Sequence, residues 1–276
     1  LVSHSLLLPR IFLILSLIQT ANATTLEQSY SEALRKNETL EQSRNKIDQA
    51  DSRYSQMKGA VMPNVALVGT YFVQPALNDP IAREIFPNQQ TTVNLSVTQP
   101  IFRGLREFAG LSQQKTLLAA SKDNYLSSQV QLYQNVAQSF FNILTLEQDL
   151  KNLKQQADIY SSRVGELQGR VKRGESSASE SLTAQTSELN IRSDLENTNS
   201  LLATERENFT YLTGLPQDTA VTDPQLKPSL DKLDAYLGSV KQRPDVMAAE
   251  KRMNASDKDV SIARGAHYPS IDVVGH

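Results

Sequence analysis

Residues 125–150 read YLSSQVQLYQNVAQSFFNILTLEQDL. Apolar side chains recur there at Leu126, Val130, Tyr133, Ala137, Phe140 and Leu144, in steps of three and four, the period of a helix with one adhesive seam. From Ile143 and Leu146 a second seam continues through Leu150, Leu153, Ala157, Tyr160, Val164, Leu167 and Val171. The phase thus shifts by one residue near Ile143, which alters a supercoil locally without ending the helix. No proline interrupts Phe102 to Gly174. A helix of that size is about 100 Å long, several times the width of a compact domain, so it must lie beside other long helices.

Working outward, the pattern predicts a long helix over 103–172 that breaks at Lys172-Arg173-Gly174-Glu175-Ser176-Ser177. A return helix over 177–213 follows, with Leu182, Leu189, Leu195, Leu202 and Phe209 as a heptad seam carrying one phase slip. Thr213-Gly214 and then Pro216 stop it, glycine being the usual helix terminator and proline unable to continue. On the other side, Leu26, Ala33, Leu40, Ile47, Tyr54 and Val61 hold a strict seven-residue register, predicting one helix over 26–61 that ends before Pro63.

Between these helices the period falls to two. Strands are expected over 64–73 and 91–99. In the second, Val93, Leu95 and Val97 share one face while Thr92, Asn94, Ser96 and Thr98 share the other. A soluble sheet laid on a core produces that alternation; so does a membrane barrel with lipid outside and a wet lumen inside. Gln74 to Gln90, with three prolines, reads as a long exposed loop. Pro100 and Gly104 bracket the passage into the long helix.

The ends carry two further signals. Arg10, the apolar run Ile11 to Ile18 and Ala21-Asn22-Ala23 have the layout of a cleaved secretory leader over 1–23. After an irregular segment over 214–228 and a short helix to about Gln242, the start of the chain returns at an offset of 206 residues, Gly59-Ala60 onto Gly265-Ala266. The same offset carries Pro63 onto Pro269, Val65 onto Ile271, Val68-Gly69 onto Val274-Gly275, Ile47 onto Met253, Asp51 onto Asp257 and Lys58 onto Arg264. This is an internal duplication: 24–228 forms a first repeat and 229–276 opens a second. A start at Leu1 and a stop at His276 inside a strand pattern read as a fragment, or as a misjudged start site.

Composition narrows the function. The chain has no cysteine, so no disulfide, thiolate metal site or cysteine nucleophile is available. A formal charge of -2 gives no footprint for nucleic acid. His4, His267 and His276 are too scattered for a metal cluster or triad, and no constellation of acid, base and nucleophile suggests an enzyme or a cofactor. Asp48 and Asp51 are commonplace helix-surface carboxylates, and Lys151, Lys154 and Glu166 a solvated face.

Four motifs then resemble the TolC-like outer-membrane efflux proteins of Gram-negative bacteria: Gly59-Ala60-Val61-Met62-Pro63 before a strand; Val97-Thr98-Gln99-Pro100-Ile101-Phe102-Arg103-Gly104, similar to the family's T-Q-P-I-F-x-G signature; Arg170 to Leu182; and Leu212-Thr213-Gly214-Leu215-Pro216. The resemblance covers the mature chain. It implies a mainly α fold with a β-hairpin, in which a long coiled-coil helical hairpin forms part of an α-barrel. The strands would join a transmembrane β-barrel shared by a homotrimer, four from each complete chain.

On that resemblance Val93, Leu95 and Val97 meet outer-membrane lipid, Thr92, Asn94, Ser96 and Thr98 line the pore, and Gln99, Pro100, Phe102 and Gly104 form the strand-to-helix junction. The loop 74–90 would face the cell exterior. Arg173, Gly174, Glu175, Ser176 and Ser177 would form the periplasmic tip, where relatives meet a membrane-fusion adaptor linked to an inner-membrane pump. Here the sequence departs from many relatives, which carry an apolar residue after the tip glycine and an Asp and Val later; this chain has Glu175, then Glu180-Ser181. The implied function is a passive export duct of a tripartite efflux or type I secretion system. A soluble periplasmic coiled-coil scaffold is the alternative; it explains the heptads but not the strands. Tyr71 and Phe72 are candidates for an aromatic belt.

Overall fold

The computed structural model describes residues 23–75, 88–225 and 232–275. The leader segment, most of the 74–90 loop and residues 226–231 of the irregular and short-helix segments lie outside the described residues. The elements in order are α1 (Leu26–Lys36), α2 (Glu38–Ala60), β1 (Asn64–Val73), β2 (Gln89–Arg103), α3 (Arg106–Lys172), α4 (Ala178–Thr213), α5 (Leu233–Ser239), a 3-10 turn (Val240–Gln242), α6 (Pro244–Gly265) and β3 (Ser270–Gly275). They fall into two compact units, one formed by residues up to Lys36 with Asn135–Leu226, the other by Asn37–Gln134 with the C-terminal residues from Lys227.

In the first unit α4 returns along α3 as an antiparallel partner. The inward positions of α3 are Val136, Ser139, Ile143, Leu146, Leu150 and Leu153, continuing through Ala157, Tyr160, Val164, Leu167 and Val171, all buried or half-buried. Those of α4 are Ser181, Ala184, Glu188, Ile191 and Leu195, then Thr198, Leu202, Glu205, Phe209 and Leu212, again all buried or half-buried. Both run in unbroken alternating steps of three and four, the period of a left-handed coiled coil. The phase slip expected along α4 is therefore absent, whereas near Ile143 both stripes are covered: Ala137 and Leu144 are half-buried and Phe140 is fully buried. Leu126, Val130 and Tyr133, expected in the seam, are exposed, as are Leu182 and Leu189. Period alone cannot choose between adjacent apolar stripes, and small residues at Ser181 and Ala184 do the packing near the turn.

Named contacts hold the pair together. Phe140, fully buried, meets Phe209 with ring centroids 6.3 Å apart; Val164, Leu167 and Ala184 form one buried cluster. The Ser139 hydroxyl donates to Glu205 at 2.5 Å, and the Arg206 guanidinium donates to Glu147 at 2.6 Å. Satisfied polar contacts inside a seam fix register as well as adhesion. α1 packs on α4, and Lys36 Nζ donates to the carbonyl of Gly214, which caps α4 at φ +68.

In the second unit, the helix expected over 26–61 is interrupted at Asn37. That residue is extended (φ -72, ψ 117), and its side-chain oxygen accepts the N–H of Leu40 at 3.1 Å. Asparagine favours this N-cap role, which restarts a helix rather than continuing one. From there α2 lays Leu40, Ser43, Ile47, Ala50, Tyr54 and Met57 inward. The Ser43 and Ser128 hydroxyls lie 3.1 Å apart, and Met57 packs over Gly110. On α6 the inward positions are Ala248, Lys251, Ala255, Lys258, Ile262 and Gly265, with Lys251 paired to the buried Asp123 of α3 and Gln113 donating to Asp259 at 2.6 Å.

β1, β2 and β3 form one antiparallel sheet in that order. No helix among the described residues is long and apolar enough to cross a membrane.

Candidate functional site

The strand register separates two faces. Val65 opposite Val97, Leu67 opposite Leu95, Gly69 opposite Val93 and Tyr71 opposite Thr91 lie on one side; Ile271 and Val273 of β3 continue it, since side chains alternate along a strand and directly paired residues share a face. The other side carries Asn64 with Thr98, Ala66 with Ser96, Val68 with Asn94 and Thr70 with Thr92. The alternation along β2 assigns only that strand's residues to the two faces; β1 supplies further residues to each, through the pairing. Tyr71 and Phe72 point to opposite faces, so only Tyr71 sits beside the apolar band, a correction that follows from the period of two.

The apolar face is bare. Val65, Leu67, Val93, Leu95, Ile271 and Val273 are each more than half exposed. A soluble sheet of this pattern would lay that face on a core; nothing among the described residues covers it.

At the junction the chain passes from β2 into α3 through tightly specified geometry. A bulge between Pro100 and Phe102 interrupts the pairing with β3. It accommodates Pro100, which has no N–H for the ladder, and it keeps Phe102 beside Ile271 on the apolar side while Arg103 falls opposite Ser270 on the other. Arg103 donates to Asp272 at 2.8 Å and lies 3.9 Å from the Glu107 carboxylate. The Gln99 amide bridges to the carbonyls of Val61 and Pro100. Gly104 (φ +66) and Leu105 (φ +60) then turn the chain through the left-handed region. Glycine is required at 104, because a Cβ there would lie 2.1 Å from the carbonyl oxygen of Gly265.

The tip is a complete glycine-terminated helix end. Gly174 has φ +76; its N–H donates to Val171 and that of Glu175 to Arg170, the paired bonds of a Schellman motif. Arg173 grips Glu175 with two hydrogen bonds of 3.0 and 2.9 Å. Ser177 caps α4 by accepting from Glu180 N, and Ser176 donates to the Glu180 carboxylate at 2.6 Å. Glu175 and Glu180, where the sequence departs from many relatives, are thus tied into the turn.

One unit thus holds a long antiparallel coiled coil, and the other an uncovered two-faced sheet entered through a glycine junction. The chain belongs to the outer membrane efflux protein family, whose model matches residues 29–215. The cation efflux system protein CusC of Escherichia coli strain K12 is 28% identical over 172 residues, 58% of this chain and 37% of that protein. Among solved structures, the outer membrane protein VceC from Vibrio cholerae matches with a TM-score of 0.74 at 16% identity, over 90% of this chain and 61% of that one. A membrane protein from Pseudomonas aeruginosa matches at 0.75 and 20% identity, over 90% and 60%. These likenesses carry the fold, and the chain spans less than two fifths of the curated relative's length.

Proposed function

We propose that this chain is the wall segment of a passive export duct that runs from the periplasm to the cell exterior, in a tripartite efflux or type I secretion assembly. Residues 1–23 would direct export, 24–228 would form a first structural repeat and the residues from 229 would begin a second. Three copies of the complete protein would close one barrel. In it Val93, Leu95 and Val97, together with Val65, Leu67, Ile271 and Val273, face lipid, while Thr92, Asn94, Ser96 and Thr98 line the pore. Gln99, Pro100, Phe102 and Gly104 turn the barrel wall into the helical tunnel. Arg173 to Ser177 meet the membrane-fusion adaptor, with the transport energy supplied by the inner-membrane pump.

The observation that supports this reading best is the bare apolar face. Burying apolar area is worth about 25 cal/mol per Å², so a contiguous apolar sheet face is explained by lipid and not by water. A periplasmic scaffold would need the coiled coil but would leave that face in solvent. The test is conductance of the full-length protein in a planar bilayer, alongside cell fractionation. Discrete channel openings and recovery in the outer-membrane fraction are expected; a protein that stays in the soluble periplasmic fraction overturns the reading.

A further inference from the structure

A groove in the second unit gathers cations and excludes acids. It lies between α2, α3 and α6 and has a volume of about 240 Å³. Lys46 and Arg53 of α2, Arg252 of α6 and the amides Gln49, Gln114 and Asn124 line it, and no carboxylate does. Among the described residues Lys46 and Arg53 make no ion pair and no side-chain hydrogen bond. Arg252 gives one N–H to the carbonyl of Ala248 at 3.3 Å and has no acidic partner. Lys251, the residue before it, is by contrast matched by the buried Asp123.

The sorting of charge is built into the helices. The nearest carboxylates in sequence are Asp48 for Lys46, Asp51 for Arg53 and Glu250 for Arg252, each two residues away. Two residues turn a helix by about 200°, so each acid leaves from the far side of its helix while the cation stays at the groove. A solvated helix face usually mixes both signs and pairs them along its length. Here two helices far apart in sequence turn only their positive side to one concavity. Like charges gathered there repel one another, and an anion seated among them relieves that repulsion. Arg53 and Arg252 bring planar forks that match an oxyanion, Lys46 brings a point charge, and the amides add neutral N–H donors. Size narrows the occupant further. Pockets for drug-sized molecules run to roughly 300–1,000 Å³, so this groove takes one small anionic group.

We infer that the groove between α2, α3 and α6 binds a phosphate-type oxyanion, gripped by Arg53 and Arg252 with Lys46 as the third charge. Three cations suit a multiply charged oxyanion better than a single carboxylate, because each charge-assisted hydrogen bond needs its own acceptor oxygen. Free inorganic phosphate and a phosphate group carried on a larger solute offer the same chemistry. The inference stands on the second unit alone and does not rest on the export-duct reading.

The test is isothermal titration calorimetry of the full-length protein in detergent, with inorganic phosphate as the probe in a chloride buffer of low ionic strength. Saturable binding is expected, weakening as salt is raised. Arg53→Gln and Arg252→Gln should each weaken it by about tenfold or more, the scale of one lost charge-assisted hydrogen bond, with helical content by circular dichroism unchanged. Lys151→Gln, on a solvated face of the other unit, should bind as the wild type does. Glycerol phosphate that competes with inorganic phosphate marks the group on a larger solute as an occupant; failure to compete restricts the site to the free ion. A folded wild-type protein that shows no saturable binding, or an Arg53→Gln/Arg252→Gln double variant that binds as tightly as the wild type, overturns the inference. A protein that conducts in a bilayer and binds no phosphate loses this site and keeps the duct; one that binds phosphate and stays in the soluble periplasmic fraction does the reverse.

Discussion

The helical hairpin and the sheet of this molecule solve opposite problems. In the hairpin, α3 and α4 cover each other's seams, and Phe140, Ile143, Val164, Leu167, Phe209 and Leu212 are buried within one chain. In the sheet, three strands pair edge to edge, yet almost every side chain on either face stays open. A helix satisfies its own backbone and needs a partner only along one stripe. A strand has two faces and two edges to satisfy. The hairpin is therefore a self-sufficient element of the single chain, and the sheet is left open by the described residues; on the export-duct reading, other chains and lipid would complete it.

The largest effect should come from breaking the self-sufficient part. Phe140→Ala removes a fully buried ring and should cost about 3–5 kcal/mol, read as a lowered thermal midpoint by circular dichroism; Leu189→Ala, on the exposed side of α4, should change stability by less than about 0.5 kcal/mol. Equal losses would mean that the seam of α4 runs along Leu182 and Leu189 and not along Ser181 and Ala184.

Next in size is a charge on the bare sheet face. Leu95→Arg should disfavour membrane insertion by roughly 2–4 kcal/mol if Leu95 faces mid-bilayer, seen as reduced outer-membrane yield with the hairpin still folded. Asn94→Arg, one residue along, should insert normally and shift the ion selectivity of the conductance toward anions. Similar yields for the two would erase the distinction between the faces.

Smaller effects test the turn that closes the hairpin. Gly174→Val forces a β-branched residue to φ +76 and should cost about 1–2 kcal/mol, measured by urea unfolding, whereas Gly174→Asn should be better tolerated. Ser177→Ala removes the α4 cap and should cost about 1 kcal/mol.

The smallest effect lies at the start of α6. Arg243 holds the Asp245 carboxyl below the usual carboxylate range, chiefly by hydrogen bonding. A depressed folded-state pKa stabilises above the ordinary carboxylate pKa, and that contribution disappears as pH falls through the depressed value. Because both groups are exposed, the effect on stability should be slight. Carbon-detected NMR titration of Asp245 should give a midpoint below that of an ordinary aspartate, and Arg243→Gln should raise it.

Much of the architecture is legible along the chain. The proline-free stretch, the glycine turn at Gly174 and the alternation of Thr92 to Thr98 locate the hairpin and the second strand, because helix and strand periods are local properties of the backbone. The lower seam, Leu150 to Val171, is likewise legible. The upper seam is legible only in part: Phe140 is buried as its register predicts, but Leu126, Val130 and Tyr133 look as adhesive as Val136, Ser139 and Ile143 and are exposed, and only packing selects between stripes one residue apart. On α4, Ser181 and Ala184 are inconspicuous in sequence because small side chains pack by letting backbones approach. The break at Asn37 was hidden by a heptad register that continues across it from Ala33 to Leu40.

The sequence by itself determined the periods, the turns and the repetition of α2 and β1 in α6 and β3, since each depends on neighbours a few residues away or on simple recurrence. Only the tertiary structure decided that the two copies use opposite sides, that Gly104 and Gly265 must both lack a side chain, and that the apolar side of the sheet has no core beneath it. Those facts concern which surfaces meet across hundreds of residues, and a chain encodes such meetings through shape and packing, which no local pattern displays.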